Sequence, residues 1–167
     1  MDKLIDKISS YNILNNLIPG CIFCYIFSYS SGVDILPDRT IELLLVYYFV
    51  GMVISRLGSL VVEPLSIKIG VVKYANHPDY ITASKKDGLI VTLLETSNLY
   101  RTIAAGGLLT VLIKLYIVVE QRIWFLLNAR SYLVGIMLFV LFLLSYRKQA
   151  KYIKSRVEHA IKNDNEE

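Results

Sequence analysis

Arg56, Ser59 and Glu63 stand at i, i+3 and i+7 at the end of a long apolar run, Ile41 to Val62, whose other edge carries Glu42. On a regular helix that spacing puts them on one polar stripe. An ionisable group in such a run is expensive to keep, and so it is a functional hypothesis by default. Arg56 lies six residues from the end of the run, about 9 Å in at helical rise. It can pair with Glu63, snorkel to the lipid headgroups, or line the inner mouth of a water-filled path. Lys114 sits deeper in another apolar run, sharing a face with Gly107 and Thr110. It too either snorkels or lines a path, and a ring of such cations would favour anions.

A second constellation lies between these runs. Ser84-Lys85-Lys86-Asp87 and Asn98-Leu99-Tyr100-Arg101-Thr102 set basic, amide and aromatic groups beside an apolar stretch. Lys85, Lys86, Asn98, Tyr100 and Arg101 together could hold a phosphate-bearing ligand, the cations pairing with the anion and Tyr100 stacking a base. The plainer alternative is that they fix topology and touch anionic lipid.

Catalytic chemistry finds no purchase. His77 and His159 are far apart, and no zinc helix, phosphate-binding loop, nucleophile elbow or pair of intramembrane aspartates occurs. Cys21 and Cys24 form a C-x-x-C, but inside Cys-Ile-Phe-Cys-Tyr-Ile-Phe, where cysteine serves as a small buried hydrophobe. No catalytic residue, metal or cofactor is expected, and the chain does not read as an enzyme.

The elements that carry these residues follow from composition. Of 167 residues, 54% are hydrophobic and 19% charged, with a mean hydropathy of +0.49. Soluble domains average about 25% charged residues, so this chain could not cover a water-facing surface. A bilayer crossing needs about 20 mostly apolar residues. Four candidates qualify: 13–30, interrupted by Asn15, Asn16 and Pro19-Gly20; 41–62; 102–119; and 132–146. The expected fold is an all-α membrane protein with four transmembrane helices and a small helical cytoplasmic layer. Its parts are 1–62 with the first two spans, 63–101 as the cytoplasmic segment, 102–146 with the last two, and 147–167 as a basic tail.

Within the cytoplasmic segment a helix is expected from Asn76-His77-Pro78-Asp79, with proline in its first turn and a break at Asp87-Gly88. The stretch from Leu89 could run on into the third span as one long helix. In the tail, Ala150, Ile153, Val157 and Ile161 recur at helical spacing opposite basic residues, a pattern suited to membrane-surface anchoring. Thirteen lysines and arginines fall in the amino terminus, middle segment and tail, against Arg39, Arg122 and Arg130 in the two short loops. The positive-inside rule then puts both termini in the cytoplasm and Trp124 and Tyr132 near the outer interface. Gly51, Ser55 and Ser59, four apart, predict close helix packing within or between protomers.

Four segments carry a resemblance. They are 11–20, with Tyr11-Asn12, Asn15 and Pro19-Gly20; 47–64, with Gly51, Ser55-Arg56, Gly58-Ser59 and Glu63-Pro64; 79–87, with Asp79-Tyr80 and Ala83-Ser84-Lys85-Lys86-Asp87; and 95–102, with Glu95, Asn98 and Tyr100-Arg101-Thr102. Across residues 11–102 the chain resembles small four-helix bacterial membrane proteins found beside antiphage genes, and in particular the membrane effector of the Hailong system. The last third is merely hydrophobic. The resemblance implies a channel-like effector in the bacterial inner membrane. It would be opened by a nucleotide or short oligonucleotide, partnered by a nucleotidyltransferase, and would arrest the infected cell.

Four helices fill their own centre, so a path requires a homo-oligomer, of which a tetramer is one form. Arg56, Ser59, Glu63 and Lys114 are the expected pore and gate residues. Two rivals stand beside this expectation. One is a non-conducting adaptor that recruits a cytoplasmic partner. The other is a small transporter subunit, for which the Pro19-Gly20 interruption is the motive.

Overall fold

The computed structural model describes residues 2–31 and 36–164, and every element in it is helical. We label them α1 (Asp2–Ser31), α2 (Thr40–Lys68), α3 (His77–Lys86), α4 (Leu89–Glu120) and α5 (Trp124–Asp164). Three of the five contain a stretch long and apolar enough to cross a membrane: α2, α4, and α5 over Ala129–Glu158. Helix α1 runs unbroken through Pro19, which is buried. The expected interruption at Pro19-Gly20 is therefore absent, and with it the motive for a transporter subunit.

Chain directions follow from the contacts. A Cβ on Gly20 would overlap the Tyr47 carbonyl oxygen, and one on Gly51 would overlap that of Asn16. Residues 16 and 20 thus meet 51 and 47, so α1 and α2 are antiparallel and in backbone contact. This places the small-residue expectation for Gly51 on an interface within the protomer. Gly58 lies against Ala105 and the Arg101 backbone, while Ile54 and Phe23 both approach Gly106. These contacts set α4 antiparallel to α2 and build a three-helix core in which Ile54, Thr102 and Ala105 are almost fully buried. Helix α5 runs parallel to α2, touching it through Phe49–Phe142 and through Lys148 at Ser59.

Helix α2 has one irregularity. From Gly58 to Val62 it is π-helical, and the Glu63 N–H reaches back to the Gly58 carbonyl. Pro64 explains the place: it has no N–H for the Leu60 carbonyl, and its ring would crowd that oxygen in a regular helix. A wide turn just before it relieves both problems and adds one residue to the turn. Helix α2 ends in a Schellman cap, with Gly70 at φ 80°, its N–H on the Ile67 carbonyl and the Val71 N–H on that of Ser66.

Helix α3 starts one residue before Pro78 and ends at Lys86, as the sequence leads one to expect. Asp87 then turns the chain and caps α4, its Oδ1 accepting from the Leu89 N–H at 2.9 Å. Helix α4 is the anticipated long helix, continuous from Leu89 to Glu120. Few apolar side chains among the described residues are buried, and most of those on α4 and α5 are exposed. That distribution suits lipid or further copies as neighbours and does not suit water. Cys24 is buried and Cys21 exposed, both as free thiols. Tyr132 is exposed at the start of α5, while the side chain of Trp124 lies outside the described residues.

Candidate functional site: a carboxylate shared by two cations

Three helices meet around Glu63. One carboxylate oxygen accepts from Arg101 of α4, and the other lies 3.0 Å from Lys148 Nζ of α5. Lys148 also donates to the Ser59 carbonyl at 2.7 Å and to Ser59 Oγ at 2.8 Å, which accounts for all three of its protons. The side chains are mostly withdrawn from solvent: 15% exposed for Glu63, 17% for Arg101 and 27% for Lys148. Charge does not balance, because one carboxylate faces two cations. In addition, Arg101 Nε is buried with no hydrogen-bond partner among the described residues. A buried donor left unpaired costs about 1–3 kcal/mol, so this ion pair is incompletely satisfied in the state described.

The wide turn at Gly58–Val62 makes this possible. With one extra residue in the turn, Arg56 and Glu63 no longer share a face. Arg56 is exposed and has no ion-pair partner among the described residues, so of the three readings offered for it, pairing with Glu63 is not the one seen; Arg101 and Lys148 hold Glu63 instead. Arg56 instead lines a small half-open cleft of about 30 Å³ with Ser59, Ser145, Lys148, Gln149 and Tyr152.

The other expected residues are dispersed. Lys114 is exposed on α4, about 12 Å along the axis from Gly106, and is not brought to the Glu63 cluster. Lys85 and Lys86 are exposed at the end of α3, and Tyr100 is exposed on α4. The Asn98 carbonyl accepts from Thr102 Oγ1 at 2.8 Å. Arg101 is withdrawn into the bundle on Glu63. The expected ligand set therefore divides into exposed residues on α3 and α4 and one inward arginine on α4.

Two features escaped the sequence. Lys148 counted only as one more basic residue of the tail. At the opposite end of the bundle, Glu120 is 3% exposed and binds Arg130 through both oxygens, Nε at 3.1 Å. This pair pins the α4–α5 turn. A lone acid closing an apolar helix, with an arginine just past the turn, is the signal that could have found it. Comparison of the chain with protein families, curated proteins and solved structures finds no match.

Proposed function

We propose that this chain is an oligomeric membrane effector, an ion channel of bacterial antiphage defence that is held closed at its inner mouth. A nucleotide or short nucleic-acid signal bound on the cytoplasmic side opens it, the membrane potential collapses and the cell is arrested. The observation that carries this reading is the Glu63 carboxylate holding Arg101 and Lys148, from two other helices, where the apolar part of α5 ends. A bundle that only anchors needs apolar helices. A charge cluster with one anion, two cations and an unpaired guanidinium donor is a costly addition to such a bundle, and it suits a latch.

The path of action runs along α4. An anion on Lys85 and Lys86 acts at the start of that helix, and Arg101 is about 18 Å further along it. Movement of α4 would draw Arg101 from Glu63. A ligand shifts such an equilibrium only by its differential affinity; a hundredfold preference for the open state supplies about 2.7 kcal/mol, comparable to one incompletely satisfied ion pair.

The antiphage setting, the inner-membrane location and the nucleotidyltransferase partner rest on the resemblance of residues 11–102. Four spans, with both termini cytoplasmic, are supported by the antiparallel contact of α1 with α2. If α2 crosses the membrane, the apolar half of α1 beside it lies at the same depth. The rival adaptor draws on the exposed Lys85, Lys86 and basic tail as a recruiting surface.

The test is ion flux from potassium-loaded liposomes containing the full chain, with ATP, cyclic dinucleotides and short oligoadenylates added in turn. Ligand-dependent flux that Lys85→Ala/Lys86→Ala abolishes is the expected result. If no flux is seen and the function in cells survives replacement of the spans by an unrelated anchor, the adaptor is the correct reading.

A further inference from the structure

Helix α5 has two faces, and among the described residues only one of them has a partner. Leu141, Ser145 and Lys148 turn toward the protomer: Leu141 and Ser145 are buried, and Lys148 reaches Ser59 and Glu63. On the opposite side Phe139, Leu143, Tyr146, Ala150, Ile153 and Val157 follow one another at alternating steps of four and three, and all are exposed. That alternation is the a/d seam of a coiled coil. In the apolar half of the helix the seam is indistinguishable from lipid-facing residues. Past Arg147 it stands out, because its neighbours are Lys151, Lys154 and Arg156 while Ile153 and Val157 remain 58% and 51% exposed.

A straight α5 would carry this stripe off a membrane surface. Helix α5 continues without a break to Asp164, and no glycine or proline lies between Gly135 and that end to bend it. The segment after Tyr146 thus extends about 27 Å away from the apolar span. What fits there is another helix of the same pitch and direction. Copies in one membrane with one topology run parallel, and in a parallel pair each g position faces the partner's e position five residues on. Here those pairs are Gln149 with Lys154 and Arg156 with Ile161, and neither sets like charges together. An antiparallel pairing would instead bring basic e and g positions onto each other.

We infer that the a/d seam of α5 is the interface between copies of this chain, a parallel coiled coil continuous from the membrane into the tail. The inference deepens the oligomeric reading above and rests on it. With Lys148 opposite the seam, the interface and the Glu63 latch share one helix, so assembly positions the latch.

The test is disulfide cross-linking in isolated membranes of the full chain carrying Cys21→Ser and Cys24→Ala. Single cysteines are placed at Ile153 or Val157 on the seam and at Ser155 on the opposite face. Seam cysteines should cross-link at least tenfold faster than Ser155→Cys. Equal rates, or no cross-linking at any position, overturn the seam. Native mass spectrometry of the same membranes separates the two claims: a homo-oligomer without seam cross-links overturns only this interface, and a monomer overturns the oligomeric reading with it.

Discussion

At the scale of single residues the Glu63 cluster makes an asymmetric prediction. Removing either cation leaves a carboxylate paired one to one, whereas removing the carboxylate leaves two cations facing each other in a poorly solvated place. Glu63→Gln should therefore lower stability by about 2 kcal/mol, below the 3–5 of a fully buried pair because solvent reaches part of this one. Lys148→Met and Arg101→Gln should each cost less, and thermal unfolding of the detergent-solubilised protein reads all three. Arg56→Ala should alter conductance without comparable destabilisation, since the Arg56 side chain is exposed beside the cleft; unchanged flux from folded protein would remove Arg56 from the gate. Glu63 and Arg56 were visible in the sequence as ionisable groups beside apolar runs. The partners of Glu63 were not, because Arg101 and Lys148 stand 38 and 85 positions from it, distances that no local spacing encodes.

Among the elements, the long helices were legible because the hydropathy of a span is a sum over many residues and survives individual errors. The break at Asp87-Gly88 was legible because a capping carboxylate and a glycine act locally. The wide turn in α2 was not: Pro64 marks the region, but the residue at which the extra one enters depends on packing against α4. That turn rotates Glu63 away from Arg56 and explains why a stripe drawn at i, i+3 and i+7 does not put the two charges in one ion pair. The α1–α2 contact carries a sharper prediction. At Gly20 and Gly51 a methyl group would overlap the facing backbone carbonyl, which cannot rotate aside, whereas nothing lies within 4 Å of one at Gly107. Gly20→Ala and Gly51→Ala should each cost about 3 kcal/mol, at the upper end for overpacking. Gly107→Ala should be neutral or slightly stabilising, as replacing a helical glycine commonly is. Melting temperatures in one detergent compare the three directly.

For the whole molecule, the exposed apolar surface and the latch point in one direction. A single copy packs α1, α2 and α4 around Ile54, Thr102 and Ala105 and leaves α5 attached along one side. The described helices enclose no aqueous path between them, so the conduction proposed above would belong to an assembly, with the Glu63 cluster in each of its subunits. The most direct measurement is ion flux through liposomes containing equal amounts of folded wild-type chain and Glu63→Gln, with native mass spectrometry confirming the same copy number for both. A closed wild type and a variant that leaks at least tenfold faster without ligand is the predicted result. Equal impermeability of the two, at equal copy number, would contradict the account at its centre.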